Sequence, residues 1–142
     1  MGTTLRIVVD TNVLIAGVRS RRGTSFVLLS EVGMDRFDIA LSVPLVFEYE
    51  EVLLRHLPAT DLGADDVDGL LDYLCSVARL QEIFFLWRPL LVDPKDDLIL
   101  ELAVASRSDA IVTFNERDFR GAEQFGIRVL TPAKFLKEIG VL

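Results

Sequence analysis

A short apolar run, Leu5-Arg6-Ile7-Val8-Val9, ends on a carboxylate, Asp10, and passes at once into Thr11-Asn12-Val13-Leu14, a turn opening a helix. A brief run rich in β-branched residues and bounded by a polar turn is the pattern of a strand buried on both faces. Such strands belong to parallel sheets covered by helices. Open sheets of that kind bind their ligands outside the carboxyl ends of the strands. Asp10 therefore stands where an α/β protein places its chemistry.

The rest of the chain continues the alternation. The pattern predicts a strand over 5–10, a short helix over 12–17, a loop Arg19-Ser20-Arg21-Arg22-Gly23, and a helix to about Val32 with Thr24 as its N-cap. A strand over 37–41 follows, then a helix from Ser42 and Pro44 to about Leu57 and another over 65–78. Gln81 to Trp87 reads as a strand, Asp93-Pro94 opens a helix to about Arg107, and Ala110 to Thr113 is a buried strand. Residues 115–119 form a turn or short helix, 128–130 a last strand and 132–139 the closing helix. Strands and helices joined by short connections imply a three-layer, Rossmann-like α/β fold, with a central, mostly parallel sheet and helices on both faces. The 142 residues show no repeat or linker and are expected to form a single domain over 1–142.

The hydrophobic fraction is 51% with a mean hydropathy of +0.38, which fits buried strands plus an apolar surface for a partner chain. No apolar run is long enough to span a bilayer, since Glu82 and Arg88 interrupt the best stretch, and no signal peptide is expected. Cys75 is the single cysteine, so no internal disulfide forms, which fits a cytoplasmic location. The formal net charge of −7 opposes nucleic acid as a partner in general. The cluster of Arg19, Arg21 and Arg22 is the local exception, a candidate contact for a phosphate backbone.

Three further groups of acids mark element boundaries. Glu48 borders the apolar face of its helix, as does Glu50, and periodicity does not separate the two. Asp93, Asp96 and Asp97 crowd one helix start, and Asp118 follows the strand ending near Thr113 and Asn115. Each admits a purely structural role: Asp10 and Asp93 as N-caps, Glu48 and Asp96 as first-turn acids favoured by the helix dipole, Asn115 and Asp118 as turn formers. Together they point to one crevice, where carboxylates repel each other unless a cation lies between them.

At this point the residues resemble a known family. Val9-Asp10-Thr11-Asn12-Val13-Leu14 is similar to the opening motif of the PIN domain. The resemblance continues in Glu48-Tyr49-Glu50-Glu51-Val52-Leu53, in Asp93-Pro94-Lys95-Asp96-Asp97 with Glu101-Leu102-Ala103, and in Ile111-Val112-Thr113-Phe114-Asn115-Glu116-Arg117-Asp118-Phe119. It extends from near residue 5 to about residue 136 and is nearest to toxins of prokaryotic toxin–antitoxin pairs, of the virulence-associated protein C type.

The resemblance implies a metal-dependent endoribonuclease, often dimeric, that leaves a 5′-phosphate and a 3′-hydroxyl. It assigns Asp10, Glu48, Asp96 and Asp118 as catalytic and metal-binding acids, with Glu48 chosen over Glu50. Thr11, Asn12, Asp93, Asp97, Thr113 and Asn115 support the site. Asn115 departs from the aspartate of many relatives and lowers the negative charge there. An oxygen-only donor set suits one or two Mg²⁺ or Mn²⁺ ions, activating water for attack on phosphorus. Expected partners are single-stranded RNA, a cognate antitoxin protein and a second copy of the chain. His56 is the only histidine and lies at a helix end, so no Ser–His or Cys–His arrangement competes. Two rivals remain. A haloacid-dehalogenase-type phosphatase would want a second aspartate where Asn12 stands. A non-catalytic binding module would keep the fold without cleavage.

Overall fold

The computed structural model describes residues 4–83, 91 and 93–142. Its five strands, β1 (Leu5–Val9), β2 (Phe37–Leu41), β3 (Arg79–Leu80), β4 (Ala110–Val112) and β5 (Arg128–Leu130), form one sheet in the order β3-β2-β1-β4-β5. Every pairing among them is parallel. The sheet expected to be mostly parallel is wholly so among the described residues.

Six helices accompany it: α1 (Thr11–Arg19), α2 (Thr24–Glu31), α3 (Val43–Arg55), α4 (Ala64–Val77), α5 (Pro94–Ala105) and α6 (Pro132–Glu138). The steps from β1 to β2 and from β2 to β3 run one way across the sheet, and the step from β3 to β4 runs back. With right-handed crossovers, α1 to α4 cover one face and α5 the other. Helix α5 accordingly packs on β1, β2 and β4, while α6 returns to α2 on the first face. Ile7, Val8, Ile111 and Val112 are fully buried between the layers, as strands covered on both sides must be.

Local chemistry explains most element ends. The Ser42 hydroxyl accepts from the Leu45 amide at 3.3 Å, with Pro44 in the first turn of α3. Asp93 caps α5 and accepts from the Lys95 amide at 2.9 Å, with Pro94 at its first position. The expected Thr24 cap is replaced: Gly23 occupies the N-cap of α2 without a side-chain bond, and Thr24 is already helical. Helix α2 packs closely on α1 at Gly17, where a Cβ would come within 2.5 Å of Leu29 Cδ1. Helix α3 stops at Arg55 and a 3₁₀ turn, Leu57–Ala59, follows. A short strand lies at Arg79–Leu80; of the strand expected over 81–87, residues 81–83 carry none and 84–87 lie outside the described residues.

Candidate active site

Strand β1 has β2 on one side and β4 on the other, and the chain's direction of travel across the sheet reverses there. The crevice beyond the carboxyl ends of β1 and β4 is thus the switch point of the fold. Val9 pairs with Val112, so Asp10 and Thr113 leave the sheet side by side.

Asp10 is nearly buried, at 8% exposure. Its amide donates to the Val112 carbonyl at 2.9 Å. One carboxylate oxygen accepts from the Thr11 amide at 2.8 Å, and the other accepts from the Thr113 hydroxyl at 2.7 Å. The Thr113 oxygen accepts in turn from the Asn115 amide at 2.9 Å. Asp10 is therefore the N-cap of α1 as well as a crevice acid. Burial pushes its carboxyl above the ordinary value; the bonds from Thr113 and Thr11 oppose this, and the charges of Asp118 and Glu48 add to it.

Asp96 holds the third position of α5, half-buried. Its carboxyl is pushed up to about 7 by burial first, then by the charges of Asp10, Asp118, Asp93 and Asp97. Asp118 lies exposed in a 3₁₀ turn, Glu116–Phe119, whose Phe119 anchors it in the core. Glu48 projects from α3 with its side chain 13% exposed and pairs with Lys95 at 3.5 Å. Its charge adds to the upward push on the Asp10 carboxyl.

The four predicted acids thus share one electrostatic neighbourhood, although their elements are far apart in sequence. They do not form a ready-made cage. Among the described residues, no three Asp, Glu, His or Cys side chains form a group that would hold a metal ion as they stand. Like charges without a counter-ion spread apart, and Mg²⁺ asks for only one or two direct carboxylates because it keeps several waters. The residues fit a hard cation on three grounds. The donors are all oxygen. Asp96 carries repulsion that a cation relieves. The Asn12 Oδ1, in the turn beside Asp10, is buried without a donor, which a water of a hydrated ion would provide.

The supporting residues divide. Thr11, Thr113 and Asn115 build the Asp10 bonding chain described above. Asp93 is exposed at the α5 cap. Asp97 is buried at 9% exposure and accepts from the Leu91 amide at 3.0 Å, which ties down the approach to α5. The arginines stand off from the Asp10 turn. Arg19 ends the nine-residue helix α1, roughly 13 Å along it at about 1.5 Å per residue. Arg21 and Arg22 are exposed on the loop beyond.

Two residues escaped the sequence reading. Tyr49 is 2% exposed, and its hydroxyl donates to the Val9 carbonyl, pinning α3 to the end of β1 next to Glu48. Burial and the Asp10 charge raise its hydroxyl pKa strongly. Its place on the apolar stripe Leu45-Tyr49-Val52 was the available signal, because a buried tyrosine needs a partner for its hydroxyl. Lys95, the partner of Glu48, left no signal of its own.

A family model described as PIN domain matches residues 6–117. The fold is similar to a chain in the crystal structure of VapBC2 from Rickettsia felis bound to a DNA fragment from its promoter. The TM-score is 0.60 at 14% identity, covering 88% of this chain and 98% of that one. At that identity the likeness is one of fold. A comparison with curated proteins gave no match.

Proposed function

This chain belongs to the PIN-domain family, and we propose that it is a metal-dependent endoribonuclease acting on single-stranded RNA, the toxin of a toxin–antitoxin pair. The observation that carries the reading is the place of Asp10, bonded to Thr113 beyond the carboxyl ends of β1 and β4 at the switch point, with Asp118 and Glu48 close enough to add to the upward push on its carboxyl. Carboxylates from separate elements that raise one another's pKa suit a cation between them.

Asp10 and Asp96 would hold Mg²⁺ or Mn²⁺, with Asp118 and Glu48 as further ligands or as acceptors for its waters. When bound, such an ion would supply positive charge at a phosphate oxygen and would lower the pKa of water. Thr113 orients the Asp10 carboxylate and favours its charged form. Tyr49 fixes the distance between α3 and β1, and so the placement of Glu48. Lys95 neutralises part of Glu48 and offers a positive group to an incoming phosphate. Arg19 faces the same groove as Glu48, while Arg21 and Arg22 add to the field that draws RNA in. Single strands suit the crevice because an unpaired backbone bends into it.

The toxin reading is supported by likeness of fold to VapBC2 and by the net charge of −7, which suits a basic antitoxin segment. Val43, Phe47 and Leu80, 68%, 64% and 62% exposed, line one apolar groove and support a homodimer or the antitoxin contact. Among the described residues no helix is long and apolar enough to cross a membrane. A cytoplasmic site of action is part of the proposal.

Purified protein with Mn²⁺ is expected to nick RNA, EDTA to stop it, and Asp10→Asn to abolish it with the circular dichroism spectrum unchanged. Cleavage that survives in the variant removes the assigned site. Asn115, which lowers the negative charge beside Asp10, favours a second reading, a PIN-fold module that binds RNA or antitoxin without cutting. Metal titration by calorimetry decides: no heat at millimolar Mn²⁺ selects the binding module. Light scattering at micromolar concentration tests the dimer, which a strict monomer refutes.

A further inference from the structure

The acids occupy one end of a longer groove. Between α1 and α3 runs an open channel of about 430 Å³, lined near the site by Thr11, Asn12 and Glu48 and at its far end by Arg19 and His56. That volume lies in the range of a small-ligand pocket. Arg19 is exposed and makes no ion pair among the described residues. His56 caps α3, and its Nδ1 lies 2.9 Å from the Val52 carbonyl. A carbonyl only accepts, so Nδ1 carries the proton. The neutral ring then has Nε2 as a hydrogen-bond acceptor. The groove thus runs from a cation-seeking end to an anion-seeking end, with a fixed acceptor beside the second.

We propose that this groove seats the ribonucleotide next to the scissile phosphate, with Arg19 holding its phosphate and His56 Nε2 accepting from its 2′-hydroxyl. The proposal deepens the ribonuclease reading and rests on it for the identity of the substrate. The length of α1 sets the spacing, since its roughly 13 Å separates Asp10 from the Arg19 backbone and the long arginine side chain closes part of that gap. A guanidinium suits a phosphate through its fork of donors. A neutral imidazole acceptor distinguishes ribose from deoxyribose, because only the 2′-hydroxyl donates to it.

The test is binding, read separately from cleavage. Fluorescence anisotropy with the Asp10→Asn chain in Mg²⁺ compares a short single-stranded RNA with copies carrying one 2′-deoxy sugar at successive positions. One position is expected to lose about 2- to 10-fold in affinity, the worth of a single hydrogen bond. In a chain that also carries His56→Ala, that loss should vanish. Since the ratio is taken within one variant, a general weakening of α3 does not imitate the result. Arg19→Ala should weaken binding of every oligonucleotide and lower the salt slope by about 0.7, whereas Lys137→Ala, on the exposed end of α6, should not. Unchanged slope with Arg19→Ala, or a deoxy penalty that persists without His56, overturns the proposal. If RNA binds in this pattern and the native chain never cuts, the nuclease reading fails while the groove stands. Cleavage by the native chain without the pattern gives the reverse, and no binding together with no cleavage refutes both.

Discussion

Replacing Asp96 with asparagine is expected to stabilise the metal-free chain, and only at neutral pH and above. The Asp96 carboxyl moves from 3.8 to about 7 in the folded chain. A carboxylate whose folded pKa is raised prefers its proton in the fold. Its contribution to stability is therefore fully present below pH 3.8, and is lost as pH climbs towards 7. At about 1.36 kcal/mol per unit the shift sets a ceiling of roughly 4 kcal/mol. Asp96 is only half-buried, and solvent screening brings this to about 1–2 kcal/mol. Its place at the third position of α5 pulls the other way, because a helix N-terminus favours an anion by about 0.3–1 kcal/mol. A net gain of about 1 kcal/mol is expected for Asp96→Asn at pH 8, or about 3 °C in Tm. The assay is thermal unfolding of both chains in EDTA from pH 4 to pH 8, read as the difference between them at each pH. The difference should be near zero at pH 4 and open through pH 5–7. Saturating Mn²⁺ should then stabilise the native chain more than the variant, reversing their order. A difference that stays flat with pH, or a variant less stable at pH 8, would refute the argument that Asp96 sits among unneutralised charge.

Other expected outcomes follow from single contacts. Thr113→Val removes a bond that holds the Asp10 carboxyl down, so its pKa rises further and calorimetric Mn²⁺ binding should shift to higher pH; an unchanged profile would leave Thr113 without a role at the site. Tyr49→Phe should cost about 1–3 kcal/mol in urea unfolding, through the stranded Val9 carbonyl, and weaken Mn²⁺ binding by loosening α3; intact metal affinity would separate the fold from the site. Gly17→Ala places a methyl 2.5 Å from Leu29 Cδ1 and 3.0 Å from the Ser25 carbonyl oxygen, so a loss of about 1–3 kcal/mol is expected, and a neutral result would mean that α1 and α2 separate freely.

What the sequence carried was mostly local. The first strand, the Ser42 and Asp93 caps with their prolines, and the stripe of α4 are set by steric and hydrogen-bonding preferences of neighbouring residues, and each stands within a residue or two of its expected place. Expectation failed where packing overrode preference. Gly23 took the cap of α2 from Thr24, and a short strand formed at Arg79–Leu80, where it pairs with Ala40 and Leu41 of β2. The family motif singled out the four acids and preferred Glu48 to Glu50, yet no local rule states that β4 lies beside β1. That adjacency came from the return crossover through α5, and it brings Asp118 and Thr113 to Asp10. The Tyr49 bond to Val9 and the Lys95 pair with Glu48 were decided the same way, as was the removal of Arg19 to the far end of the groove. The order and chemistry of the carboxylates were written in the chain itself. Their mutual repulsion exists only once the sheet is assembled, because charges in distant segments interact strongly only when folding excludes the water between them.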